Sequence, residues 1–321
     1  MNGNPSTTFD LSGARVFVAG HRGMVGSAVV RRLSQEPIDS ILTADRYTLD
    51  LRRQADVEQW FQNNRPDVVV LAAARVGGIL ANDQFPADFL YENLAIESAI
   101  IKAAADFGVR KLLFLGSSCI YPRMAPQPIA ETSLLTGPLE ATNQWYAIAK
   151  IAGIMLCDAF RKQHGLDFIS AMPTNLYGPG DNYDLQSSHV IPAIIRKAIV
   201  ARDTNAQHLE IWGSGTPRRE FLHADDLADA LVFLLRNFSD AGPINVGYGE
   251  DISIGELAEL ISRLCGFHGD LVFDRSKPDG TPRKLMDVSK LATLGWKAQI
   301  PLQQGLARTI AELPEGFGSA A

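Results

Sequence analysis

The 321-residue chain is 46% hydrophobic and 21% charged, an ordinary globular composition. It is too long for one core of usual size, so a large α/β domain with a smaller lobe is expected. A net charge of −6 argues against a surface built to hold nucleic acid, and no apolar run approaches the ~18 residues of a membrane span. Three cysteines, Cys119, Cys157 and Cys265, lack metal-ligand spacing, so no metal site is expected and a reducing, cytoplasmic compartment is. The polar stretch from Met1 to Gly13 has no signal-peptide pattern and reads as a loose lead-in.

In chain order, Arg15 to Ala19 form an apolar strand that ends in Gly20-His21-Arg22-Gly23-Met24-Val25-Gly26, with a helical run from Ser27 to Leu33 behind it. A glycine-rich turn between strand and helix lets backbone approach a pyrophosphate at the helix N-terminus. Glycine turns also end strands for structural reasons alone, and the flanking strand and helix favour the dinucleotide reading. The second strand, Ser40 to Thr43, leads into Ala44-Asp45-Arg46, where a carboxylate suits a free ribose 2′-hydroxyl and an arginine a 2′-phosphate. Arg22 and Arg46 together favour NADP(H), and Asp45 keeps NAD(H) open; a solvated surface pair is the bland alternative.

Strands are expected again at Asp67 to Ala72, Lys111 to Leu115 and Asp167 to Ala171, with helices such as Asp56 to Asn63 and Phe89 to Phe107 between them. This alternation predicts a doubly wound parallel sheet of Rossmann type, with ligands along the strands' carboxyl ends. After the Lys111–Leu115 strand comes Gly116-Ser117-Ser118-Cys119-Ile120-Tyr121-Pro122, and then Tyr146 and Lys150 on one helical face. An ammonium beside a phenol favours the ionised phenol, and such a pair can exchange a proton with a carbonyl oxygen while hydride moves at carbon.

Met172 to Pro179 reads as a loop at the ligand edge of the sheet. A helix at Ser188 to Val200, a strand at His208 to Trp212, a loop from Gly213 to Arg219 and a helix at Ala224 to Phe238 follow. The division expected is a mainly cofactor-binding domain over 14–180, helped by parts of 208–250, a mainly substrate-binding lobe over 181–315, and flexible tails at 1–13 and 316–321.

The glycine-rich turn, Ser117 four residues before Tyr121, and Tyr146-x-x-x-Lys150 resemble the extended short-chain dehydrogenase/reductase family of sugar-nucleotide enzymes. The strings 20–27, 116–122, 173–179 and 277–284 narrow the resemblance to the branch that acts on a GDP-sugar, and the likeness runs from about Arg15 into the last helix. It implies conversion of GDP-4-keto-6-deoxy-D-mannose to GDP-L-fucose, by epimerisation at C3 and C5 and NADPH-dependent reduction at C4. Carried over residue by residue, Tyr146 donates a proton to the C4 oxygen, Lys150 is its electrostatic partner and a ribose contact, and Ser117 gives that oxygen a second hydrogen bond. Cys119 matches the epimerisation base and His189 the acid on the opposite face, with the charge held as an enolate.

The cofactor set implied is Gly20, His21, Arg22, Gly23, Met24, Val25, Gly26, Arg46, Leu115, Gly116, Ser117, Lys150, Pro173, Thr174, Asn175, Leu176 and His189. The substrate set is Lys197, Trp212, Arg219 and Asp279, with Arg283 and Lys284 as further charges. Lys197 departs from the pattern, since relatives often carry an arginine there, and a point charge replaces a bidentate contact.

Each role has a plainer rival: a lone cysteine is more often a small buried hydrophobe, as expected of Cys157 and Cys265, and a histidine at a helix start can be a surface or capping residue. Tyr121 and Tyr177 read as pocket wall or core. Two other functions share much of this set, a nucleotide-sugar 4-epimerase or 4,6-dehydratase and a non-catalytic dinucleotide sensor. The first has no need of Cys119 and His189, and the second none of Ser117, Tyr146 and Lys150. Apolar positions on the 89–107 and 148–160 helices suit a homodimer, as in the family, although core packing explains them equally.

Overall fold

The structure is a computed structural model that describes residues 9–314 and 317–319. Its first half alternates β1 (Arg15–Ala19), α1 (Met24–Leu33), β2 (Ser40–Leu42), α2 (Gln54–Asn64), β3 (Val68–Leu71), α3 (Ile79–Gln84), α4 (Pro86–Asp106), β4 (Lys111–Leu115), α5 (Gln144–His164) and β5 (Asp167–Pro173). The second half runs β6 (Asn175–Tyr177), α6 (Val190–Asp203), β7 (His208–Trp212), β8 (Arg218–His223), α7 (Ala224–Asn237), β9 (Pro243–Val246), β10 (Asp251–Ser253), α8 (Ile254–Cys265), β11 (Asp270–Asp274), β12 (Arg283–Lys284), α9 (Ser289–Thr293) and α10 (Leu302–Ala311).

Six strands form one parallel sheet in the order β2-β1-β3-β4-β5-β9. The continuous apolar runs of β3 and β4 are fully buried because helices cover both faces. On one face Val16, Val18 and Leu113 pack with Val29 of α1 and Leu231 of α7; on the other Phe17, Val69 and Phe114 pack with Ile100 of α4 and Ile154 of α5. A third core, with Ile195, Leu209, Leu257 and Ile261, belongs to the second lobe. The winding direction reverses between β1 and β3, and such a switch point opens a crevice at the strands' carboxyl ends.

Several expectations change. Residues 9–13 are packed rather than loose: Leu11 is fully buried, and Phe9 donates its backbone N–H to the Arg236 carbonyl. Residues 317–319 form a short 3-10 turn whose Phe317 ring meets Tyr183 at 4.9 Å, while residues 1–8, 316, 320 and 321 of the expected tails lie outside the described residues. The stretch 172–179 is not all loop, since β5 continues to Pro173 and β6 pairs in parallel with β8. Arg218 and Arg219 of the expected 213–219 loop already belong to β8, which also pairs with β10 and β12.

Two local devices fix segments of the chain's second half. Ser253 and Glu256 form a capping box at the start of α8, satisfying N-terminal backbone donors in a helix that buries Leu257, Ala258 and Ile261. Glu220 of β8 is fully buried; its carboxylate accepts from the backbone N–H of Gly249 at 2.7 Å and of Met286 at 2.9 Å. Met286 also forms a parallel bridge with Ile129, so the 285–287 segment is held between the β4–α5 connection and β8.

Candidate active site

At the carboxyl end of β1, Gly20 has φ +91°, and a Cβ there would lie 2.8 Å from the backbone nitrogen of Ala73, just past β3. A Cβ on Gly26 would come within 2.0 Å of the Gly20 carbonyl. Only glycine allows the turn to close on itself at the switch point. The N-cap of α1 is Gly23, with no side chain capping the first turn. Its N–H groups therefore face no competing carboxylate or hydroxyl cap, which fits a dinucleotide pyrophosphate.

Arg22 and Asp45 meet at 3.1 Å, and Asp45 also accepts from the Thr48 hydroxyl at 2.6 Å and from the backbone N–H groups of Tyr47 and Thr48 at 2.9 Å. Those bonds from Thr48, before the Arg22 charge, lower the Asp45 pKa. The carboxylate is thus engaged in its own turn and balanced by a cation, which weakens its case as a ribose ligand. Arg46 is exposed beside it. Thr174 and Asn175 direct their side chains to the Glu220 carbonyl, at 3.2 and 2.9 Å, and fix the 173–176 segment on β8.

Beyond β4, Ser117 begins a 3-10 turn over Ser118–Ile120 and accepts from the backbone N–H of Cys119 at 3.3 Å. Its hydroxyl also reaches the Tyr146 phenol. Burial above all, then the neighbouring Cys119 and Glu97 charges, pushes that phenol's pKa upward. The expected ionised phenol is therefore corrected: Lys150 is buried and paired at 2.9 Å with Glu97 of α4, so its charge is largely spent on a carboxylate. Its ammonium stands 4.7 Å from the Phe114 ring centroid and 5.9 Å from that of Tyr146.

The Cys119 thiol is half-buried, unlike Cys157 and Cys265, which are buried and whose pKa values burial raises, that of Cys265 to about 11. Asn143, at the N-terminus of α5, donates to Cys119 Sγ at 3.3 Å, and the Lys284 ammonium stands 3.7 Å from the same sulfur. Arg219 lies within electrostatic reach of it. A cation and a hydrogen-bond donor thus border the sulfur. Asn143 carries no motif, and Lys284 is near the thiol only because β12 pairs with β8.

His189 precedes α6 and is exposed, yet surrounding protein, then the Lys284 ammonium, lowers its pKa. Both effects disfavour the protonated imidazole. In the second lobe, the ammonium groups of Lys197 and Lys277 stand 5.0 and 5.2 Å from the centroid of the half-exposed Trp212 ring. Arg219 donates to the Asp279 carbonyl at 3.3 Å, and the Asp279 carboxylate holds the Ser214 N–H and hydroxyl at 2.7 and 2.8 Å. Arg283 does not face the cleft set: it pairs with Asp251, which Arg218 also engages. Tyr121 and Tyr177 are buried, and the Tyr121 hydroxyl donates to Asn245 at 2.6 Å. Among the described residues, no group of three His, Cys, Asp or Glu side chains could hold a metal ion.

Hydrogen-bond and electrostatic links thus run from Ser117 through Tyr146, Cys119 and Lys284 to His189. A GDP-L-fucose synthase of Sinorhizobium fredii is 58% identical over 299 residues, covering 93% of this chain and 95% of that protein. The GDP-L-fucose synthase of Escherichia coli K12 is 52% identical over 308 residues, covering 93% and 96%. Among solved structures, a GDP-L-fucose synthetase from Naegleria fowleri bound to NADP superposes with a TM-score of 0.87 at 30% identity, covering 95% of each chain. The model of the NAD dependent epimerase/dehydratase family matches residues 16–253, and the chain belongs to that family.

Proposed function

We propose that the protein converts GDP-4-keto-6-deoxy-D-mannose to GDP-L-fucose, through epimerisation at C3 and C5 followed by reduction at C4, with NADP(H) as cofactor. The observation that carries this reading is a thiol with a cationic neighbour, placed where its charge acts on a buried phenol. One group can remove a proton from carbon and the other can hold the adjacent carbonyl oxygen.

NADPH supplies the hydride for C4. The remaining work falls to side chains. Cys119, as thiolate, removes the proton next to the ketone, while Tyr146 and Ser117 donate hydrogen bonds to the oxygen on which charge collects. His189, protonated from solvent, returns a proton on the other face, and the anionic diphosphate of the substrate favours its charged form. Tyr146 then gives its own proton to the C4 oxygen during reduction. Arg219, Lys197 and Lys277 provide positive charge for the diphosphate, and Trp212 gathers the two lysines. Arg22 and Arg46 would supply positive charge to a ribose 2′-phosphate.

The protein acts as a homodimer in this reading: Tyr91 of α4 and Trp145, Ile148 and Met155 of α5 are large exposed apolar side chains on two packed helices. No helix among the described residues is long and apolar enough to cross a membrane, and a cytoplasmic location agrees with the free cysteines.

Incubation with GDP-4-keto-6-deoxy-D-mannose and NADPH, followed by NMR of the product, tests the reading. GDP-L-fucose is expected. A GDP-6-deoxyhexose with unchanged C3 and C5 configuration, or no NADPH oxidation, would overturn it.

A further inference from the structure

Glu97 has no part in the chemistry above, yet its charge acts on the Tyr146 phenol and its carboxylate pairs with Lys150 on the same helix. It lies in phase with Phe89, Asn93 and Ile100 on the buried side of α4, where a carboxylate is otherwise costly. Its carboxylate meets the Lys150 ammonium at 2.9 Å, and both side chains are 2% exposed. Neither Glu97 oxygen accepts a well-directed hydrogen bond among the described residues, so Lys150 is its principal partner.

The fold leaves room for this pair deliberately. At Gly153 of α5, a Cβ would fall 2.4 Å from the Phe114 ring and 2.9 Å from Glu97 Oε2. Any side chain there would displace the carboxylate or the ring beneath Lys150.

We propose that Glu97 is a positioning residue for the reductive step: it seats Lys150 beneath the catalytic phenol and cancels its charge, so that Tyr146 meets the C4 oxygen with its proton still in place. Whichever member holds the shared proton, the pair carries no net charge. An unbalanced ammonium near the ring would pull the phenol toward phenolate, which has no proton to give. The other titratable groups facing this cluster are Cys119, after β4, and Cys157, one helical stretch further along α5; the first borders Tyr146 and the second Glu97.

This inference rests on the role proposed for Tyr146, and its test separates the two. Tyrosinate absorbance is titrated in the protein alone for wild type, E97Q, E97D and E97Q/K150M, each with the corresponding Tyr146→Phe spectrum subtracted. The pH dependence of NADPH-dependent reduction is followed beside it, with deuterium exchange at C3 and C5 at pH 7 as the second activity. E97Q is expected to ionise Tyr146 at least one pH unit below wild type and to move the alkaline limb of reduction down with it, while exchange stays within about threefold. Removing both charges in E97Q/K150M is expected to return the titration to the wild-type range.

E97D keeps the charge but withdraws it by one methylene, and is expected to give a smaller shift in the same direction; it carries the test if E97Q does not fold. An unmoved phenol titration in E97Q, or in E97D should that be the folded variant, overturns the proposal, as does a loss of reduction that is equal at every pH. Failure of wild type to form GDP-L-fucose would instead overturn the function and leave the titration to judge Glu97.

Discussion

The two sides of the cleft use positive charge in opposite ways. Beneath Tyr146, Lys150 is buried, paired with a carboxylate and fixed on one helix. Around Cys119 and Trp212, Lys284, Lys197 and Lys277 lie on separate segments: Lys284 stands by the thiol, Lys197 and Lys277 by the ring, and Lys197 also donates to the Glu210 carbonyl at 3.1 Å. A buried charge without its counter-ion is costly, so the first side is set in the folded protein and leaves little charge over. The second side keeps charge available for an anionic ligand. Pre-organisation belongs where charge develops on one atom; spare charge belongs where a diphosphate is to be held.

The sharpest way to break this division is Tyr146→Phe. Loss of the proton donor should cut C4 reduction by about 10²–10⁴-fold while deuterium exchange at C3 and C5 continues; abolition of exchange would show that the phenol serves both steps equally. Cys119→Ser should lower exchange by about 10²-fold or more, because a serine hydroxyl beside Lys284 ionises far less readily than a thiol. Exchange at the wild-type rate would remove the thiol from the role of base.

Trp212→Ala tests the open side alone. Loss of the ring that gathers Lys197 and Lys277 should raise KM for the GDP-sugar about tenfold with kcat nearly unchanged. A fall in kcat at constant KM would place the ring in the chemistry instead. The smallest expected effect concerns Asp181, which precedes His189 by one loop and whose pKa burial raises to about 6. A carboxyl with a raised folded pKa destabilises the fold as pH climbs from its unfolded value of 3.8 through 6 and beyond, where it must ionise in place. Asp181→Asn should therefore raise Tm by roughly 2–4 °C at pH 8 and hardly at all at pH 4. An equal gain at both pH values would show that the charge is not what costs stability.

Much of the first half was legible because its signals are local. Continuous apolar runs such as Val68–Leu71 declare buried parallel strands, and the glycines at 20, 23 and 26 declare a turn between strand and helix. The second lobe was less so. Strand β8 sets three charged residues before two apolar ones and a histidine, with no period-2 alternation to mark it, and its partners β6, β10 and β12 lie far away in sequence. The Ser253-x-x-Glu256 capping box is the local start signal that α8 carries.

Individual site residues divide in the same way. Tyr146 and Lys150 announce themselves by helical spacing, whereas Lys284 meets Cys119 across 165 positions through a strand pairing no local pattern encodes. Glu97 had a signal, a carboxylate on the apolar stripe of a helix, but only the packing of α4 on α5 shows which ammonium it answers.

The tie between Glu220 and Met286 has a consequence for synthesis. Residues leave the ribosome in order, so the glycine turn, Ser117, Cys119 and Tyr146 are all in place to fold while the final eighth of the chain is still untranslated. The Lys284 ammonium reaches the thiol through the pairing of β12 with β8, and Met286 just beyond it joins Glu220 and Ile129. A chain ended by a premature stop before that point would keep the phenol and lose the cation beside the sulfur. It would also leave a buried carboxylate oxygen without its donor, at a cost of about 1–3 kcal/mol. Late nonsense mutations in this gene are therefore chemical lesions as well as folding ones.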